Sequence, residues 1–368
     1  MEWKPILKAD LGDRFSAKLD DIITGATHKE WPMYAPGLMT GNAGTALFLF
    51  LAGDRKDDEA ILEQAVRALA QSSQSIRMQL DQPSPPDRLD VSFDSGLAGI
   101  GWTMGYLLKN DFIDGTLDEL YGATDAAIFR NMITYVQEPA LKNLAHAVGI
   151  GIYAVNRNSR LAQEYLRRFI RELYARIQEP STTRKILAMP DEIIAGMIRL
   201  LEKIRTKYPD IANTSNVVRW FYGLFRDCPK SASELHLQTL FALQDDEASR
   251  RWASEELTQR AKWTTDHADM LKVDAGLERG LTHTAHCFNR IYQRTDDPLY
   301  RDAAIACFDI LLDRAIHEED GVALWNTSSK GLWCRHLGLL NGISGIGLAL
   351  LAAVTEEEPR WDECIYLS

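Results

Sequence analysis

Histidine and cysteine gather in two stretches of the chain. His283, His286 and Cys287 lie in one, and Trp333-Cys334-Arg335-His336 forms the other. His283 and His286 share a helix face, so they could present two imidazoles to one metal ion, with Cys287, Cys334 or His336 supplying further donors. The plainer expectation is that the histidines of the first stretch are satisfied core residues and that Cys334 and His336 are structural or merely exposed. Asp191 and Glu192 follow directly on Pro190. Proline suits the start of a helix and acids suit its first turn, so these two read as helix-start charges before they read as catalytic acids. Gly96-x-x-Gly99-x-Gly101 has the glycine spacing of a nucleotide loop. That chemistry needs a strand before the glycines, and none is expected there, so the motif is set aside.

A repeated helical element has to hold these side chains. Gly41-Asn-Ala-Gly44 opens a long apolar run, and the pattern returns at Gly96-Leu-Ala-Gly99 and Gly342-Ile-Ser-Gly345. Two glycines three apart lie on one helix face and let another backbone come close. The runs that follow are too continuously apolar for a surface helix, which predicts helices buried all round. Weaker echoes lie between. Leu144-Ala-His146-Ala-Val-Gly149 puts His146 in the first glycine slot, where core packing is the default. Met189-Pro-Asp-Glu192-Ile-Ile-Ala-Gly196 keeps only the second glycine, and Trp220-Phe-Tyr-Gly223 and Gly276-Leu-Glu278-Arg279-Gly280 follow. Amphipathic stretches alternate with these motifs at a period of roughly fifty residues, among them Leu161 to Ile177 with basic residues on one side.

No stretch shows the sustained alternation of a sheet protein. The fold class expected is therefore all-α, an α/α toroid of about seven inner and outer helices, forming one domain over residues 1–368 with the inner-helix starts around a central cavity. Trp220 follows the fourth motif too closely for a full helix pair, so one outer helix is expected to be missing or replaced by loop.

The chain has 368 residues, 46% hydrophobic and 25% charged, with a net charge of -11. That balance disfavours nucleic acid and anionic membrane surfaces as partners and permits a basic peptide. Met-Glu-Trp-Lys-Pro does not read as a secretory leader, and no apolar run reaches the ~18 residues of a membrane span. Five cysteines without paired spacing suggest free thiols and a cytoplasmic location.

With their flanks, the glycine motifs resemble the lanthionine synthetase C family, the cyclases that close thioether rings in ribosomally made, modified peptides. The resemblance rests on Gly37-Leu-Met-Thr-Gly41-Asn-Ala-Gly44, on the order of the later motifs and on Pro359-Arg-Trp361-Asp with Leu367, and it covers essentially the whole chain. It implies the toroid and a place in a lanthipeptide-type pathway. In the family, a zinc ion is held by the Cys of a Trp-Cys-Tyr-Gly motif and by a Cys-His pair before the sixth repeat's glycine, and it activates the substrate thiol. The matching positions here are Phe221, Glu278 and Arg279, so the resemblance implies that the zinc site is lost and no cofactor is expected. The family's fourth-repeat histidine falls on or near Glu192.

Three catalytic candidates follow from the same resemblance. Tyr222 stands beside the lost ligand, either to protonate an enolate or to pack. Arg279 would stabilise a thiolate or enolate while Glu278 shuttles a proton; alternatively the two form an ion pair filling the former zinc site. Two functions stay open. One is zinc-independent ring formation by cysteine addition to dehydroamino acids. The other is a catalytically degenerate accessory protein that binds a precursor peptide or a partner modification enzyme such as a dehydratase. Glycoside hydrolysis on the same architecture is a third class, and no carboxylate pair stands out for it.

Overall fold

The computed structural model describes residues 2–7, 9–28, 35–80, 90–226, 232–271, 274–314, 316–318, 321–326, 332–334 and 336–368. In chain order its helices are α1 (Ala9–His28), α2 (Asn42–Lys56), α3 (Glu59–Leu80), α4 (Leu97–Lys109), α5 (Leu117–Gln137), α6 (Leu144–Arg157), α7 (Arg160–Ile177), α8 (Pro180–Leu187), α9 (Asp191–Lys207) and α10 (Thr214–Arg226). They continue with α11 (Leu237–Leu243), α12 (Arg250–His267), α13 (Leu281–Thr295), α14 (Pro298–Arg314) and α15 (Ile343–Val354). Strands β1 (Ile316–Glu318), β2 (Gly321–Asn326) and β3 (Leu332–Cys334) lie between α14 and α15. The chain forms two compact units, one of Met1–Asp90, Asp94–Gly96 and Thr258–Pro359, the other of Val91–Phe93, Leu97–Leu257 and Arg360–Ser368.

In the first unit α15 packs between α2 and α13, and a second layer of α3, α1 and α14 covers them. Eleven of the 12 residues of α15 and every residue of α2 from Asn42 to Phe50 are buried, as their continuous apolar runs predict. The paired glycines serve a different contact from the one expected. A Cβ on Gly345 would stand 1.9 Å from the Leu339 carbonyl oxygen, and one on Gly44 would stand 2.0 Å from that of Leu38. The backbone that comes close is thus the loop leading into the same helix, folded back across its first turn. These loops are stitched together: Met39 N–H donates to Asp94 O, Leu339 N–H to Met39 O and Leu277 N–H to Leu340 O, each at 2.9 Å.

In the second unit α6 packs on α4 and α9, and α11 packs on α9. The covering layer is α5, α7 and α10. Residues around Arg360–Ile365 close its core, with Tyr366 packed where a Cβ on Gly196 would come within 2.9 Å of its ring. His146 lies in the first turn of α6, partly exposed beside the Tyr135 ring at 5.7 Å.

Two features of the helix order depart from expectation. Trp220-Phe-Tyr-Gly223 sits in the interior of α10, and α10 packs on α9 and α7 as their covering helix. No covering helix is missing beside α9, because the motif that seemed to start the fifth core helix belongs to that cover. The fifth core helix is the short α11. The second departure is the three-stranded antiparallel sheet, with Ile316 opposite Ala323 and Leu324 opposite Cys334. Strands of three to six residues are too short to show alternation in the sequence.

Candidate functional site

Tyr222 is 4% exposed, and its hydroxyl donates to Glu202 Oε1 at 3.2 Å. Burial first, then the carboxylates of Glu202 and Asp245, pushes its pKa well above the ordinary tyrosine value. The phenol therefore holds its proton. Phe221, its neighbour, is fully buried and offers no donor to a metal. Glu278 and Arg279 are exposed, on the turn that runs into Gly280, the N-cap of α13. They do not plug a buried hole. Asp274 anchors this turn, accepting from Gly276 N–H at 2.7 Å, and burial raises its carboxyl pKa.

On α13, His283 and Cys287 are committed to local bonds. His283 Nδ1 lies 3.1 Å from the Leu277 carbonyl, which can only accept, so Nδ1 carries the proton. His283 Nε2 is then the acceptor for the Cys287 thiol at 3.4 Å. His286 and Cys287 are fully buried, and His336 is exposed. The Cys334 side chain lies outside the described residues.

Among the described residues, one trio of metal-type side chains converges, and it comes from the starts of two neighbouring core helices. Asp191 and Glu192 open α9 behind Pro190, and His236 is the N-cap of α11. Asp191 is 4% exposed, and its Oδ2 accepts from His236 N–H at 2.9 Å and from the Thr239 hydroxyl at 2.7 Å. The buried carboxylate thus satisfies an orphan N–H at the start of α11 and ties the two helices together. Glu192 Oε2 lies 3.6 Å from His236 Nε2, both side chains being partly open to solvent. One donor atom from each of the three falls within 4.8 Å of the others.

An imidazole held beside a carboxylate can take up and return a proton. One nitrogen and two carboxylate oxygens could also hold a divalent cation. They do not match the thiolate-rich zinc set of the resembled family, since the trio includes no cysteine. Asp191 and Glu192 were visible in the sequence as helix-start charges, and that role stands. His236 was missed because no glycine marks the start of α11. The available signal was a histidine shortly before the apolar residues Leu240 to Leu243.

Two layers of helices, most of the core ones marked by glycine, define the class, an α/α toroid. Among solved structures that share it is one titled "Nisin cyclase", with a TM-score of 0.67 and 14% sequence identity over 96% of this chain and 98% of that one. At that identity the likeness is one of fold. No family model matches the chain, and no curated protein matches it. Among the described residues no helix is long and apolar enough to cross a membrane.

Proposed function

We propose that this protein acts in the maturation of a ribosomally made peptide, adding a cysteine thiol to a dehydrated serine or threonine without the thiolate-bound zinc of the resembled cyclases. The observation that carries the reading is the likeness of fold to nisin cyclase over nearly the full length of both chains. In the step proposed, a base takes the S–H proton and sulfur bonds to the β-carbon. The electron pair of the carbon–carbon double bond moves toward the carbonyl as an enolate, and a proton returned to the α-carbon completes the thioether. His236, paired with Glu192, is the base best supported by geometry. An alternative pair for the same step, separate from His236, is Arg279 to stabilise the enolate with Glu278 to move the proton, both exposed ahead of α13. Tyr222 is assigned to packing, since its proton is held at Glu202. Thiol addition to dehydroamino acids is intrinsically easy, so positioning and a weak base suffice.

The partners in this reading are a precursor peptide and the dehydratase that prepares it, and the setting is the cytoplasm. The second reading, an accessory protein that binds the peptide without catalysis, draws on the absence of a thiol from the one convergent trio among the described residues. A dehydrated, cysteine-containing peptide followed by mass spectrometry after thiol alkylation separates the two. Catalysis requires rings to form faster than in buffer and with one stereochemistry, with the rate falling roughly a hundredfold in His236→Ala. Unaccelerated ring closure, together with tight peptide binding, would establish the accessory role.

A further inference from the structure

The second unit forms a partly open cavity of about 580 Å³ at the C-terminal ends of α4, α6 and α9. Asp191 stands at the opposite end of α9. Each of these three helices ends on a cation that lines the cavity, namely Lys109, Arg157 and Lys207, and Arg360 joins them from the start of the 3-10 turn Arg360–Ile365. Glu363 is the one carboxylate in the lining. It is already engaged, accepting from Lys203 at 2.8 Å, from Asn156 at 2.9 Å and from the Trp102 indole at 3.2 Å. Arg157 is neutralised by Asp125 at 2.7 Å and by Asp118.

Three cations remain. Lys109, Lys207 and Arg360 have no carboxylate partner among the described residues, and Lys207 directs its ammonium to the Val155 carbonyl at 2.7 Å. A cation at a helix C-terminus offsets the helix dipole, which accounts in part for Lys109 and Lys207. It does not account for Arg360, which opens a turn. Burial, and next the charge of Lys109, lower the Lys207 pKa, with Lys203 adding to the effect and Glu363 opposing it. An anion in the cavity would relieve that crowding. Three unmatched cations around one concavity stand out in a chain of net charge -11.

We propose that this cavity binds a polyanion, a ligand carrying two or more carboxylate or phosphate groups spaced to meet Lys109, Lys207 and Arg360. Its volume suits a small ligand or a short peptide segment. Asn110 and Thr116 add neutral hydrogen-bonding groups, and Tyr106, stacked on Trp102 at 5.6 Å, supplies an apolar wall. The assignment is independent of the proposed chemistry at His236.

The test is isothermal titration calorimetry of the full chain at low salt with three probes: citrate, pyrophosphate and tetraglutamate. At least one binds at one equivalent, more weakly as salt rises. Tightest binding of tetraglutamate marks an acidic peptide segment as the source, whereas tighter citrate or pyrophosphate marks a free small anion. The double variant K109A/R360A loses about tenfold in affinity or more. Both residues are exposed, so its thermal melt matches that of the wild type. His236→Ala leaves this binding unchanged. The proposal is overturned if none of the three probes binds, or if K109A/R360A binds as tightly as the wild type.

Discussion

Replacing Asp191 with alanine removes a buried carboxylate that receives two hydrogen bonds from α11, at 2.9 Å from His236 N–H and 2.7 Å from the Thr239 hydroxyl. Hydrogen bonds to a charged acceptor contribute about 1.5–3 kcal/mol each, and a buried donor left unsatisfied costs about 1–3 kcal/mol. Set against these is the desolvation of the carboxylate itself, which the wild type bears and the variant does not. The net loss expected for Asp191→Ala is about 2–4 kcal/mol. Thr239→Val leaves the His236 bond in place and should cost about 1 kcal/mol. The double variant should cost less than the sum of the two, by roughly 1 kcal/mol, because both single changes remove the same Thr239 contact. Urea unfolding followed by circular dichroism reads all three, and His236 is the residue expected to lose its fixed position. If Asp191→Ala unfolds within about 0.5 kcal/mol of wild type, the carboxylate does not brace α11 and the geometry assigned to His236 loses its support.

The glycines offer a contrast. Gly345→Ala puts a methyl group 1.9 Å from the Leu339 carbonyl and should yield little soluble protein, whereas Gly223→Ala meets nothing closer than the Arg226 side chain at 3.6 Å and should stabilise the interior of α10 by up to about 1 kcal/mol. A strongly destabilised Gly223→Ala would mean that Trp220–Gly223 begins a core helix after all. Burial pushes the Cys307 thiol up to about 12 from 9.0, so the native state keeps a proton there that the unfolded chain releases. Stability from this group is intact below pH 9 and is lost as pH rises from there toward 12, and Cys307→Ala should lessen that slope by about 1.4 kcal/mol per pH unit in pH-dependent unfolding. Protein purified without a histidine tag is expected to carry well under one equivalent of zinc by mass spectrometry. Near-stoichiometric zinc that disappears in His236→Ala would overturn the zinc-free chemistry and place a metal at Asp191, Glu192 and His236.

The sequence by itself determined the helical class and most of the core helices. A run such as Gly342-Ile-Ser-Gly345 followed by uninterrupted apolar residues has few physical solutions other than a buried helix, so α2, α4 and α15 were legible from residue types alone, while the backbone that the glycines admit was not. It also marked Asp191 and Glu192, because proline and acids at a helix start have a local electrostatic reason. Tertiary structure decided which helices face the core. Trp220-Phe-Tyr-Gly223 carries the spelling of a core-helix start, yet its face packs on α7 and α9, and only long-range packing distinguishes the two roles. It also decided that His236 meets Glu192, residues forty-four positions apart that no periodicity connects. The same holds for the cations gathered at the far end of α9: Lys109, Arg157 and Lys207 are ordinary helix-end charges in the sequence and Arg360 a charge that opens a turn, and they become one field only when three helix ends and that C-terminal turn are folded to a common place.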